Sequence, residues 1–115
     1  MKSNLRKYEM IDTMNVTQLN KKITDGENII LIDCREQNEW DEAHIEQARF
    51  MPLSDFASQM KNISDVPKDA VIVCQCRSGK RSLQAAMHLQ NEGFENLFNL
   101  EGGILAWKEE NFPTV

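Results

Sequence analysis

Two short stretches of this chain contain nothing polar: Ile29-Ile30-Leu31-Ile32, and Ala70-Val71-Ile72-Val73 with Cys74 extending it. Both are rich in β-branched residues and bounded by polar or turn-forming neighbours, so both read as strands. A strand with one wet face alternates apolar and polar side chains. These two do not alternate, so each must be covered on both faces. Few architectures satisfy that demand, and the usual one is a mainly parallel sheet whose crossover helices pack on both sides.

The intervening segments supply the helices. Thr17 is placed to cap a short helix that carries Leu19 and Ile23 and stops near Gly26. Glu36 to Glu42 reads as a short helix anchored by Trp40. Ser54 stands at the head of the clearest periodic segment, where Leu53, Phe56, Ala57, Met60 and Ile63 form one apolar stripe, ended by Asp65-Val66-Pro67. Ser82 to Glu92 reads as a helix with Leu83, Ala85, Ala86, Met87 and Leu89 on a broad face that only Gln90 interrupts; Gly93 stops it. Tyr8 to Ile11 and Asn96 to Leu100 are further strand candidates. Gly102-Gly103 reads as a turn, and Ile104 to Asn111 as a last helix with Trp107 inward. No repeat, low-complexity tract or linker divides residues 1–115, so one domain is expected.

Charge narrows the partners. Thirteen Lys and Arg face 18 Asp and Glu, a net charge of -5, which argues against nucleic acid as a partner but leaves room for a local anion site. Three cysteines cannot make a paired disulfide framework, so a reducing compartment is the simpler setting. The N-terminal residues lack the apolar core of a signal peptide, and no apolar run is long enough to span a membrane. The expectation is a cytoplasmic protein with no membrane partner.

The informative segment is Val71-Ile72-Val73-Cys74-Gln75-Cys76-Arg77-Ser78-Gly79-Lys80-Arg81-Ser82. A buried strand runs into a short polar loop that opens a helix. Ligands of open α/β sheets bind beyond the carboxyl ends of the strands, where this loop falls. Helix N-termini present unpaired N–H groups, and a tight loop of successive N–H groups forms an anion nest. Cys76 heads that loop, with Arg77, Lys80 and Arg81 close by; such surroundings stabilise a thiolate, the nucleophilic form. Gly79 permits the tight turn. The bland alternative, a buried apolar Cys76 beside a solvated basic patch, does not account for three cations and a glycine within five residues of it.

These residues carry a resemblance. Leu31-Ile32-Asp33-Cys34-Arg35-Glu36 resembles the Asp-Val-Arg-Glu strand end of the rhodanese-like domains, the single-domain sulfurtransferases. Trp40, His44-Ile45, Ala48 and Pro52 are similar to the segment that follows it. Cys76 to Arg81 resembles the active loop Cys-Arg-Ser-Gly-x-Arg, and Leu100-Glu101-Gly102-Gly103-Ile104 with Trp107 resembles the terminal Leu-x-Gly-Gly and Trp. Four motifs in order, over about Tyr8 to Phe112, make the resemblance specific. It departs at Ala43 and Gln47, where glycines are preferred, and at Cys34, where valine is usual.

The resemblance implies an α/β three-layer sandwich and a ping-pong sulfur transfer. Cys76 would take the sulfane sulfur of a small anion such as thiosulfate, or of a protein donor, and hold it as a persulfide. A thiophilic acceptor, cyanide or a thiol, would then remove it. Backbone N–H groups of Arg77, Ser78, Gly79, Lys80 and Arg81 would cradle the persulfide, while the Arg77, Lys80 and Arg81 side chains hold the donor. No metal and no organic cofactor is implied. Asp33 and Arg35 would support the site as a salt-bridged brace.

The remaining polar candidates have plainer readings. His44 reads as a hydrogen-bonded loop histidine rather than a base, because a loop that already ionises Cys76 needs none. His88 shares the polar face of its helix with Gln84 and Asn91 and reads as exposed. Cys74 lies on the same strand face as Cys76; a strained Cys-x-Cys disulfide and a buried thiol are both open, the second favoured. Cys34 is either a resolving thiol or, the favoured reading, a small core residue in place of valine. Two other function classes stand against sulfur transfer. A cysteine phosphatase or arsenate reductase would need Cys-x5-Arg, and here the spacing is Cys-x4-Arg, which contracts the cradle. A non-catalytic binding module would typically lack the cysteine.

Overall fold

A computed structural model describes residues 11–115. Their strands are β1 (Ile11–Met14), β2 (Ile29–Asp33), β3 (Ala48–Phe50), β4 (Val71–Gln75) and β5 (Asn96–Leu100). All pair in parallel, in the order β1-β5-β4-β2-β3. The two apolar runs become β2 and β4, neighbours at the middle of the sheet, paired from Ile29 with Val71 to Asp33 with Gln75. Of the first strand candidate, Tyr8 to Met10 lie outside the described residues; β1 starts at Ile11 and continues to Met14.

The helices are α1 (Val16–Thr24), α2 (Gln37–Glu42), α3 (Phe56–Gln59), α4 (Lys80–Asn91) and α5 (Gly103–Glu109). They bury the two sheet faces separately. One face carries Ile32, Cys34, Ile72, Cys74 and Leu97 against Ala85, Ala86 and Leu89 of α4 and Phe56 and Ile63 of the α3 segment. The other carries Met14, Leu31, Val73 and Leu100 against Val16 and Leu19 of α1 and Ile104 and Trp107 of α5. The three-layer α/β sandwich is therefore present, with a sheet that is parallel throughout.

Several local expectations need correction. The cap of α1 is Asn15, not Thr17: its side chain accepts from Gln18 N–H at 2.8 Å while Gln18 Oε1 accepts from Asn15 N–H at 2.9 Å, a reciprocal capping box. The segment after Ser54 is not one long helix. It is a 3-10 turn at Leu53–Asp55, four residues of α3, and a second 3-10 turn at Met60–Ile63. Ser54 does not cap it; its hydroxyl donates to Glu36 Oε1 at 2.6 Å. Ala57 is exposed, so the apolar stripe is narrower than its spacing suggests. In α4 one position departs from its expected face: Leu83 is 43% exposed, whereas Gln90, the polar interruption of that face, is buried with it. His88 is half-buried, its ring edge-on to Phe56 at 5.2 Å between centroids.

Candidate active site

β4 ends at Gln75, and residues Cys76 to Gly79 form the loop that α4 continues. Gly79 sits at the cap position with φ 114°, a conformation that strains any residue with a Cβ. This turn brings the Gly79 N–H back onto Cys76 Sγ, 3.1 Å away. Ser82, in the first turn of α4, places its hydroxyl 3.3 Å from the same sulfur. Cys76 is 1% exposed, so these contacts act with little competition from water.

The loop's carbonyls are turned the other way, onto α5. Ile104 N–H donates to Cys76 O at 2.9 Å and Leu105 N–H to Arg77 O at 3.2 Å. The first turn of α5 thereby satisfies two of its own orphan donors and anchors the loop. Gly103 makes the approach possible: a Cβ there would drive into the carbonyl oxygens of Cys76 and Arg77. What reads in the sequence as a simple turn is the joint between helix and loop.

Asn99, near the end of β5, holds the loop from the sheet. Its Nδ2 donates to Gly79 O at 2.9 Å, and its Oδ1 accepts from Ser82 Oγ. The one Ser82 hydroxyl proton is thus shared between Asn99 and Cys76. Asn99 pairs with Cys74 in the β4–β5 register, so the sheet itself delivers it to the site.

Cys34 follows β2 directly. Its N–H donates to Gln75 O at 2.9 Å, which keeps the two strands zipped one step past the Asp33–Gln75 pair and sets Cys34 beside Cys76. The Cys76 thiol is lowered to about 4. A hydrogen bond from Cys34 is the largest cause; burial opposes it, and the Ser82 and Gly79 groups add to it. The same contact, with burial, pushes Cys34 far up. Cys74, wholly buried, is pushed up to about 12 by burial and then by the Cys76 charge. All three cysteines are free thiols. Of the expected sources of activation, the loop N–H groups contribute through Gly79, while hydrogen bonds to the sulfur rather than the three cations carry the shift.

The three cations differ. Arg81 is taken up by Glu39 of α2, Nη1 to Oε1 at 2.7 Å and Nη2 to Oε2 at 2.9 Å. That bidentate pair lowers Glu39 to about 2 and raises Arg81. Arg81 is therefore tied to α2 through Glu39 and joins the start of α4 to that helix. Arg77 and Lys80 are exposed, as is Ser78. Beside the loop lies a cleft of about 350 Å³ whose walls include Arg77, Arg35, Glu39, Leu105 and Lys108.

Asp33 and Arg35 form a buried pair, Nη2 to Oδ2 at 2.8 Å and Nε to Oδ1 at 3.0 Å. Arg35 also donates to Ala43 O at 2.7 Å and to Glu39 O at 3.3 Å, so it ties down the end of α2. Since Glu39 holds Arg81, the brace reaches the loop through α2. His44 stacks on Trp40 at 3.6 Å and pairs its Nδ1 with Trp40 O at 2.9 Å. Sequence reasoning missed Asn99, Ser82, Glu39 and Gly103 as site residues. A strand register or a helix approach brings in Asn99, Glu39 and Gly103, and neither is written in local spacing; Ser82 is local, six residues from Cys76, and reads in the sequence only as the start of a helix. Among the described residues, no group of three His, Cys, Asp or Glu side chains is arranged to hold a metal ion, and no helix is long and apolar enough to cross a membrane.

Comparison with known proteins gives one consistent family. Residues 15–110 match the model of the rhodanese-like domain. A sulfurtransferase of Allochromatium vinosum is 34% identical over 92% of this chain and 96% of its own length. A putative sulfurtransferase of Bacillus subtilis, YtwF, is 36% identical over 90% and 96%. The solution structure of a rhodanese-like domain from Anabaena superposes with a TM-score of 0.81 at 27% identity, covering 92% of this chain and 80% of that one.

Proposed function

The chain belongs to the rhodanese-like domain family, and from that premise we propose that it is a sulfurtransferase in which Cys76 carries the sulfur as a persulfide. The names of the Allochromatium and Bacillus relatives support the class. The observation that carries the mechanism is the setting of Cys76 Sγ: buried, met by Gly79 N–H at 3.1 Å and by the Ser82 hydroxyl at 3.3 Å, contacts that favour the thiolate.

Thiosulfate, or a protein persulfide, is the donor. The Cys76 thiolate attacks the sulfane sulfur; the donor's S–S bond breaks, and its electron pair leaves on sulfite, or on the cysteine sulfur of a protein donor. The new persulfide anion lies among the N–H groups of residues 77 to 81, a preorganised cradle for negative charge. Cyanide or a thiol then attacks the outer sulfur and returns Cys76 as thiolate. Transfer to cyanide moves no proton in either step, so the mechanism needs no general base, in keeping with a His44 ring already engaged by Trp40. Arg77 and Lys80 face solvent and are the charges free to draw in an anionic donor.

Intact-mass spectrometry after exposure to thiosulfate tests the reading. One added sulfur on the wild type, absent from Cys76→Ser, is the expected result, together with thiocyanate formation from cyanide. Turnover of an aryl phosphate in place of sulfur transfer would overturn it in favour of a phosphatase.

A further inference from the structure

Cys34 is a buried thiol beside Cys76 that the transfer steps do not use as a nucleophile. Three observations place it. Its backbone continues the β2–β4 ladder past the last strand pair, through Cys34 N–H to Gln75 O at 2.9 Å. Adjacent strands lie roughly 4.8 Å apart, inside the roughly 4.4–6.8 Å between Cα atoms that a disulfide spans. Its side chain lies on the face that carries Ile32, Cys74 and Cys76, in the same apolar cluster. Both thiols are shielded from solvent, Cys34 at 0% and Cys76 at 1% exposure. Cys74 is the poorer partner, because residues i and i+2 of one strand stand roughly 6.6 Å apart, at the limit of that range.

We propose that Cys34 resolves the Cys76 persulfide, giving the protein a second activity: dithiol-dependent release of sulfide. The inference rests on the persulfide reading above and extends it. In the step, Cys34 sulfur attacks Cys76 Sγ. The bond between Sγ and the outer sulfur breaks, its electron pair stays on the outer sulfur, and the Cys34 proton goes with it. Cys34 thiol plus Cys76 persulfide anion become a Cys34–Cys76 disulfide and HS⁻. The sulfane sulfur is reduced and the two cysteines are left oxidised. A dithiol reductant restores both thiols by two exchanges. Over a full cycle, thiosulfate and a dithiol give sulfite, sulfide and the oxidised reductant. Acceptor and Cys34 then compete for the same persulfide: a fast acceptor yields transfer, and its absence yields sulfide. A Val side chain at this position, the usual residue in the resembling strand motif, has no thiol with which to compete.

The test follows the lifetime of the loaded protein. Wild type, Cys34→Val and Cys34→Ala are loaded in separate arms with thiosulfate and with inorganic polysulfide, then desalted and held without acceptor. Intact mass and trapped sulfide are read over time. In the wild type the added sulfur should disappear, leaving a protein lighter by two hydrogens than the fully reduced form, one sulfide per chain, and a Cys34–Cys76 cross-linked peptide. In both variants the persulfide should last roughly tenfold longer or more, since a thiol held beside its target gains a large effective concentration. Dithiothreitol with thiosulfate should then give continuous sulfide from the wild type at a correspondingly higher rate than from either variant. Equal persulfide lifetimes in wild type and variants would overturn the proposal, as would a cross-link from Cys76 to Cys74. Loading by polysulfide but not thiosulfate would count against thiosulfate as donor while the decay still decides the resolving step. Loading by neither reagent overturns both readings.

Discussion

Arg81 and Glu39 meet through two parallel hydrogen bonds of 2.7 and 2.9 Å, joining the first turn of α4 to α2 across 42 residues of sequence. The pair fixes the far end of the Cys76 loop. It also engages one of the three cations, so Arg77 and Arg81 should fail in different ways when truncated. Arg77→Ala should raise the thiosulfate KM with little change in kcat, the mark of lost uniform binding. Arg81→Ala should lower kcat, because a loosened loop misplaces the sulfur, and Glu39→Gln should reproduce part of that loss. Added salt should imitate the Arg77 change. Steady-state kinetics on the three variants checks all of this; an unchanged KM in Arg77→Ala would point to a donor other than a small oxyanion.

The alkylation rate of Cys76 should titrate near pH 4 and stay on its plateau through neutral pH. Cys34→Val removes the largest stabilising contact, so the midpoint should move up. Ser82→Ala should move it in the same direction by less, since that hydroxyl is shared with Asn99. The linkage sign follows. The folded-state thiol lies below its unfolded value of 9.0, so the ionised thiol contributes stability that is fully present above pH 9 and is lost as pH falls through about 4. Denaturant melts of wild type against Cys76→Ser should converge toward acid pH and diverge toward pH 9.

Cys76→Ser should abolish thiosulfate-to-cyanide transfer, since no other thiol lies on the loop. Cys74→Ser should keep most of it, because that thiol sits inside the core on β4, ahead of the loop. Activity in Cys76→Ser would end the assignment of the nucleophile.

Gly103→Ala should cost at least about 2 kcal/mol, combining a positive φ with a backbone collision. The new methyl meets the Cys76 and Arg77 carbonyls, so activity should fall with it. A thermal midpoint lower by about 10 °C or more is the expected readout for a chain of this size.

Asp33→Ala should cost about 3–5 kcal/mol, because it strands the Arg35 guanidinium without a counter-charge. Arg35 is 4% exposed and Asp33 is 0% exposed, so water cannot substitute for the carboxylate. Calorimetry checks the loss. Residual transfer activity at low temperature would show the pair to be a brace rather than a ligand.

The most legible elements were those whose pattern reports burial directly. Ile29–Ile32 and Ala70–Cys74 lack alternation because both faces are covered, and they form the paired strands at the centre of the sheet. Asn96–Leu100 and the loop headed by Cys76 fell where composition put them. The segment after Ser54 reads as one helix because apolar residues three apart, Leu53 with Phe56 and Met60 with Ile63, suit a 3-10 turn as well as an α-helix, and Ser54 turns to Glu36. Leu83 and Gln90 stand seven residues apart on one side of α4, yet one is exposed and the other buried, so tertiary coverage rather than helical periodicity decides them.

Local sequence alone determined the parallel α/β class and the place of Cys76 at the head of a strand-to-helix loop, since each depends on neighbours within about one helical turn or strand. Tertiary structure alone decided what surrounds the loop and holds it in place. Cys34 comes from β2, Asn99 from β5, Glu39 from α2 and the Gly103 joint from α5. Hydrogen bonds act over about 3 Å, and contacts that short between residues distant in sequence exist only once the strand register is set. The register itself is chosen by burying both sheet faces at once.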